Sequence, residues 1–371
     1  MNDQLFDLLS IGLHLATPHK GYAAICSQLD EKDWLRIKDL SDKQGVSSIV
    51  MDGVSLLGSS CGYELLSQGV DKGWWKLFWL QWIGVSQLVE EKNSRQLAVM
   101  EELTQKWAEH NILTMVFKGQ ANGLMYPNPK HRSPGDIDCY LFGNYSAGNK
   151  IAKAAGACVD EGWYKHSEIN YKGEVFENHQ YFVHTREGKR SKSLQKELEK
   201  VLYEGGGKTM PGCKALTPPV QWNAMFLTYH ACSHFLTEGL KLKQVLDWAM
   251  FLNKHQNEVD WTRFYEYCDR FHFRRFAEAL TAICVEQLGL RITDSNIIAK
   301  SEYADRMLHS ILEDDDYVYG LSSSKWEEKK HLIKNLFNYR WKYEEIYQDS
   351  VWKQLWWYMS GYLFRTEKFL G

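Results

Sequence analysis

Lys118-Gly119-Gln120, followed at a short distance by His131-Arg132-Ser133-Pro134-Gly135-Asp136-Ile137-Asp138, is the stretch whose reading decides the fold. Before it, Ile112-Leu113-Thr114-Met115-Val116-Phe117 is an apolar run of strand length that ends at Lys118-Gly119. After it, Asp136 to Phe142 reads as a second strand. Gln120 to Tyr126 fits a short helix between them, closed by Pro127 and Pro129. Proline lacks an amide hydrogen and restricts the residue before it, so a helix stops there. Side chains alternate along a strand, which puts Asp136 and Asp138 on one face and Ile137 on the other, toward a core.

Two carboxylates on one strand face can share a divalent metal. Phosphoryl transfer needs charge neutralised on the attacking oxygen, the leaving oxygen and the phosphate between them. Two Mg²⁺ ions ~3.5–4 Å apart do this, usually with a third carboxylate from a neighbouring strand. Glu177 is that candidate, with His179 on its own face of the segment Val175 to His179. Gly119 at a strand end lets the backbone approach a phosphate, and a following helix offers free N–H groups to an anion. Lys118 and the planar fork of Arg132 add positive charge. The combination points to nucleotidyl transfer. The plainer alternatives are an Asp-x-Asp at a strand edge and an ordinary strand–turn–helix connection with two surface cations.

Working outward, residues 1–110 read as helical, with Leu5, Leu8, Leu9 and Leu13 at helical spacing and breaks near Gly45 and Gly58. The aromatic run Trp74 to Trp82 is expected to be packed helix core. Residues 111–205 have the texture of a small α/β unit. It includes a helix from Ala147 to Ala157 capped by Ser146, and a hairpin of Lys165–Tyr171 with Val175–Thr185 across Lys172-Gly173. A helix from Ser191 to Tyr203 runs into the linker Gly205-Gly206-Gly207. Residues 206–371 return to helix, and core packing is expected of Trp341, Trp352, Trp356 and Trp357. The expected fold class is α+β, a small mixed-sheet core between two helical regions.

Composition narrows the partners. The 371 residues carry a net charge of −3, with 44% hydrophobic and 25% charged residues. This is ordinary for a globular protein and argues against one that coats long nucleic acid by bulk charge. Lys189-Arg190-Ser191-Lys192 is a local basic cluster, read as a solvated loop. Eight scattered cysteines without a Cys-x-x-Cys pair fit reduced thiols. With no signal-peptide pattern at Met1-Asn2-Asp3-Gln4 and no membrane-length apolar run, a cytoplasmic location is expected.

At this point the residues resemble a known family, the uncharacterised nucleotidyltransferases of the polymerase-beta-like superfamily. The resemblance rests on Phe117-Lys118-Gly119, Tyr126-Pro127-x-Pro129, Arg132-x-x-Gly135-Asp136-Ile137-Asp138 and Glu177-x-His179, followed by Ser193-Leu194-Gln195. Further on come His230-x-x-x-His234, Glu238-Gly239 and Leu242-Lys243-Gln244-x-x-Asp247. It implies a nucleotidyltransferase core with Asp136, Asp138 and Glu177 as catalytic metal ligands for Mg²⁺ or Mn²⁺. Lys118, Gly119, Arg132, Ser133 and His179 would line the NTP. Lys118-Gly119 stands where better-studied members have Gly-Ser, Lys243 where the family more often has Arg, and polar Asn178 where an apolar residue usually follows the glutamate. The pair His230 and His234 lies on one helix face but lacks the glutamate of a His-Glu-x-x-His zinc motif, so it is expected to pack beneath or line the cleft with Asp247.

The expected activity is transfer of a nucleotidyl group from an NTP to a hydroxyl of an unidentified acceptor, with release of pyrophosphate. A carboxylate, Glu177, would assist deprotonation. A small molecule, sugar or protein fits as acceptor better than long nucleic acid. The alternative is a nucleotide-binding or regulatory protein on the same fold without catalysis.

Overall fold

The computed structural model describes residues 2–185, 188–237, 239–313, 334, 336–353 and 355–356. Glu238 and Trp357, singled out in the sequence, lie outside the described residues. The chain opens with six helices: α1 (Asn2–Gly12), α2 (Lys20–Cys26), α3 (Glu31–Lys43), α4 (Ser47–Cys61), α5 (Tyr63–Leu66) and the long α6 (Lys72–Glu109). Next come β1 (Thr114–Phe117), α7 (Gly119–Gly123), β2 (Ile137–Tyr140), α8 (Tyr145–Ala154), β3 (Cys158–Asp160), β4 (His166–Tyr171), β5 (Glu174–His179), α9 (Lys189–Glu204) and β6 (Ala215–Leu216). Helices α10 (Val220–Thr237), α11 (Leu242–His255), α12 (Trp261–Phe271), α13 (Arg274–Leu288) and α14 (Ala304–Glu313) follow. The fold class is α+β, as the patterning implied.

The strands form one mixed sheet in the order β3-β4-β5-β2-β1-β6. β2 pairs parallel to β5 and β1 parallel to β6, while the remaining pairs are antiparallel. Strand alternation sorts the two faces. Val116, Ile137, Cys139, Ile169 and Phe176 bury against Met100, Leu103 and Trp107 from the second half of α6. Met115, Phe117 and Tyr140 bury on the other face, in a second and much larger cluster. That cluster joins Leu5, Leu8 and Leu9 of α1 and Val50 and Val54 of α4 to Trp248 of α11 and Leu280 and Ile283 of α13. The helices before and after the sheet therefore share one core.

Among the helices before the sheet, α1 and α4 approach closely at glycines. A Cβ on Gly12 would stand 2.1 Å from the Ile49 carbonyl oxygen, and one on Gly53 2.0 Å from that of Leu8. Only bare backbone lets α1 and α4 pack this tightly. The Trp74–Trp82 run is helix core in the main, since Trp75, Phe78 and Trp82 are buried, although Leu77 and Leu80 face outward.

Several local readings are corrected by the structure. Gly58 lies inside α4, which runs on to Cys61 and ends at Gly62 with φ +97°. The helix expected from Ser146 starts at Tyr145, after Asn144, with no side-chain cap. β5 stops at His179, well short of Thr185, because the chain turns to place Phe182 and Val183 in the core. The sheet takes its sixth strand from beyond the Gly205–Gly207 linker. Trp341 packs edge-on against Phe235, whereas Trp352 and Trp356 are exposed rather than buried. All eight cysteines are free thiols. Among the described residues no helix is long and apolar enough to cross a membrane.

Candidate functional site

Register brings the charged residues together. Phe117 faces Asp138 across the antiparallel β1–β2 pair, and Asp138 faces Glu177 across the parallel β2–β5 pair. Lys118 follows Phe117 directly, so an ammonium and two carboxylates line one row across three neighbouring strands. His166 of β4 is the cross-strand partner of His179 of β5, and cross-strand partners share a face. His166 therefore joins the row although its own sequence neighbourhood carries no signal for it.

The contacts are close. The Lys118 ammonium pairs with Asp138 Oδ1. His179 Nε2 lies 3.0 Å from the same Asp138 oxygen and 3.1 Å from Glu177 Oε2. His166 Nε2 lies 3.5 Å from Glu177 Oε1. Asp136, one residue before β2, is more exposed. Burial and the negative charges of Glu177 and Asp138 push its carboxyl above the usual range. Burial alone would do the same to Glu177, but the His179 hydrogen bond and the nearby Lys118, His179 and His166 hold it well below. A divalent cation would relieve the repulsion that Asp136 feels, so this donor set fits one. Among the described residues, the three potential ligands whose donor atoms all lie within 4.8 Å are His166, Glu177 and His179, not the three carboxylates.

The turn after β1 is strained at an unexpected position. Lys118 has φ +58° and ψ −143°, a region that glycine occupies freely and other residues at a cost of ~1–3 kcal/mol. Gly119 follows with φ +22°, and a Cβ there would stand 3.3 Å from the Asp136 carbonyl oxygen. The turn thus presses backbone against backbone beneath the carboxylates, and α7, with five residues, is short.

The loop carrying Asp136 is pinned from α6. Asn93 Nδ2 donates to the Lys130 and Arg132 carbonyl oxygens at 2.7 and 3.0 Å, and Gln96 Nε2 donates to the Gly135 carbonyl at 2.7 Å. Gln120 bridges both, donating to Asn93 Oδ1 at 2.7 Å and Gln96 Oε1 at 2.9 Å. His131 sits between Asp52 of α4 and Glu90 of α6, 2.7 and 2.6 Å away. At the far end of β5, Gln195 Oε1 of α9 accepts from the Phe182 and Val183 amides.

Arg132 was expected to face phosphate, but its fork is committed elsewhere. Nε and Nη2 each donate to Asp247 of α11 at 2.8 Å, a bidentate pair with both partners buried. Asp247 also accepts from Tyr126 Oη at 2.8 Å and Asn122 Nδ2 at 3.0 Å. Burial would raise its carboxyl, yet Arg132 and these donors hold it below the usual range. Asp247 is thereby a clamp on the loop, which the spacing of residues in sequence gave no way to see. Ser133 and Lys243 flank Gly45 instead. Among the described residues Lys243 has no carboxylate at ion-pair distance, and burial, with Arg132 nearby, brings its ammonium down to about 8. His230 stacks on Phe226, which meets Phe117 edge-on, and His234 Nε2 lies 3.1 Å from His230 Nε2. That pair lies on the Phe117 side of the sheet, and burial holds His230 well below the usual histidine range.

Comparison with known proteins adds one match. A family model described as an uncharacterised nucleotidyltransferase matches residues 30–289, well over half of the chain. No curated protein and no solved structure matches it.

Proposed function

The chain belongs to the uncharacterised nucleotidyltransferase family, and from that premise we propose that it moves an NMP group from an NTP to a hydroxyl-bearing acceptor, releasing pyrophosphate. The observation that carries the reading is the row formed by Lys118, Asp138 and Glu177 across β1, β2 and β5, with Asp136 at its mouth. Asp136, Asp138 and Glu177 would hold Mg²⁺ or Mn²⁺, which when bound neutralises charge on the reacting phosphate.

The acceptor oxygen forms a bond to the α-phosphorus as the bond to the β-phosphate oxygen breaks. The acceptor's proton passes to the Glu177 carboxylate, and pyrophosphate leaves. Lys118 and Lys243 supply positive charge to the triphosphate, because neither is consumed by a structural ion pair outside the site. The Gly119 turn lets the triphosphate approach the backbone. His179 Nε2 lies between Asp138 and Glu177, 3.0 and 3.1 Å from their oxygens. Arg132 acts at one remove, holding the Ser133–Asp136 loop through Asp247. A small molecule, a sugar or a protein side chain suits the acceptor side, and the acidic balance of the chain supports that over long nucleic acid. A cytoplasmic setting, where NTP and Mg²⁺ are at hand, belongs to the same proposal.

The test is incubation of the full chain with each labelled NTP, Mg²⁺ or Mn²⁺ and a cell extract, followed by identification of the labelled product. Pyrophosphate release and a labelled acceptor are expected, and both should vanish in Asp136→Ala and Asp138→Ala while the circular dichroism spectrum is kept. NTP binding without turnover under every condition would replace this reading with a non-catalytic, regulatory one.

A further inference from the structure

We infer that His166 and His179 join Glu177 in a nitrogen-bearing metal site that takes a first-row transition ion in preference to Mg²⁺. The inference rests on reading this row of side chains as a metal-binding one, but not on the identity of the acceptor or on turnover.

The argument begins with hydrogen-bond roles. His179 Nδ1 lies 3.2 Å from the Tyr181 carbonyl oxygen, which can only accept, so the ring hydrogen belongs on Nδ1. That leaves Nε2 as the ring position open to a cation. That atom faces two further acceptors, Asp138 Oδ1 at 3.0 Å and Glu177 Oε2 at 3.1 Å. Three acceptors turned on one another repel unless a proton or a cation lies among them. A donated ring N–H on one side and a bare nitrogen on the other is the arrangement that metal-binding histidines adopt.

His166 supplies the second nitrogen. It is fixed opposite His179 by the β4–β5 register, with the two ring centres 5.1 Å apart. Its Nε2 stands 3.5 Å from Glu177 Oε1, too long for a strong hydrogen bond, and its Nδ1 is buried with no hydrogen-bond partner. The donor atoms of His166, Glu177 and His179 all lie within 4.8 Å of one another. Two imidazoles and a carboxylate are borderline ligands that suit Zn²⁺, Co²⁺ and their neighbours, whereas Mg²⁺ keeps to oxygen and holds its water tightly. The Lys118 ammonium on Asp138 Oδ1 leaves the His166 side of the row as the side open to a cation.

The experiment uses the full chain and metal alone, with no nucleotide. Mn²⁺-loaded protein is examined by pulsed EPR for ¹⁴N modulation, and Co²⁺ and Mg²⁺ affinities are measured by calorimetry on wild type and His166→Gln. Nitrogen modulation is expected in the wild type, with Co²⁺ bound at least about tenfold more tightly than Mg²⁺. His166→Gln should lower Co²⁺ affinity by about tenfold or more and leave Mg²⁺ affinity nearly unchanged. Absence of ¹⁴N modulation in the wild type, or Co²⁺ bound no more tightly than Mg²⁺, would overturn the inference even if the variant does not fold. A Co²⁺ affinity equal in wild type and folded variant would overturn the part assigned to His166. Loss of NTP turnover alone would count against the proposed function and leave these readouts standing.

Discussion

Two charged clusters lie within reach of the loop between β1 and β2, and they are built in opposite ways. Around Asp247 every charge is answered. The Arg132 fork meets both carboxylate oxygens, and Tyr126 and Asn122 supply the remaining donors. Around Asp138 the answer is partial. Asp138 and Glu177 have partners in Lys118 and His179, but Asp136 is pushed up by burial and by the two other carboxylates, and a buried nitrogen of His166 has no partner. A buried ion pair in the first style orders the chain, and removing one partner strands the other. An unbalanced group in the second style persists only because the surrounding sheet holds it, and such imbalance is found where a ligand supplies what is missing. The two asparagine and glutamine contacts from α6 tie the clusters together through one loop.

The sharpest way to break this comparison is to delete the centre of the balanced cluster. Asp247→Ala should cost about 3–5 kcal/mol, because Arg132 is left buried without its partner. Urea unfolding measures it, and a loss below ~1 kcal/mol would mean the cluster is not a clamp. Asp136→Asn in the other cluster should do the reverse. Turnover should fall at least about a hundredfold, while the melting temperature of the metal-free protein holds or rises. The sign follows from its raised carboxyl, since the charged form is disfavoured in the folded chain and neutralising it removes a penalty. A clear drop in melting temperature would show that Asp136 is structural.

A smaller effect isolates the strain at Lys118. Lys118→Gly and Lys118→Ala both lose the ammonium, but only glycine tolerates φ +58° with ψ −143°. The glycine variant should be the more stable by about 1 kcal/mol, with both equally impaired in NTP binding. Equal stability would locate the strain elsewhere. The smallest effect concerns His131, an intermediate case held by Asp52 and Glu90. Burial lowers its pKa, but these carboxylates outweigh it and the net shift is upward. Its stabilisation is therefore fully present below the unfolded value of about 6.5 and fades as pH rises through the folded value. The melting-temperature gap between wild type and His131→Gln should narrow over that range, and a gap that widens with pH would contradict the pairing.

Much of this was legible before any coordinates. Apolar runs bounded by Gly and Pro marked β1, β2 and the hairpin of β4 with β5, since burial and turn geometry are local demands. Asp136, Asp138 and Glu177 stood out because carboxylates at strand spacing are a local pattern too. Other residues were illegible for a physical reason. Arg132 looked like a phosphate ligand because its type suits one, yet its partner lies 115 positions away. His166 is an ordinary strand residue until register places it opposite His179. Lys118 reads only as a cation in sequence, yet it carries a positive φ, and only the backbone angles reveal that.

By itself, then, the sequence determined the α+β class, the family resemblance and the places of β1, β2 and the β4–β5 hairpin, because each follows from residue type and short-range spacing. The tertiary structure alone decided which charges are spent on one another. It paired Arg132 with Asp247, left Asp136 and Lys243 without structural partners among the described residues, and brought a second histidine to Glu177. Those outcomes depend on strand register and helix packing across long stretches of chain, where a one-residue shift would turn each side chain to the opposite face.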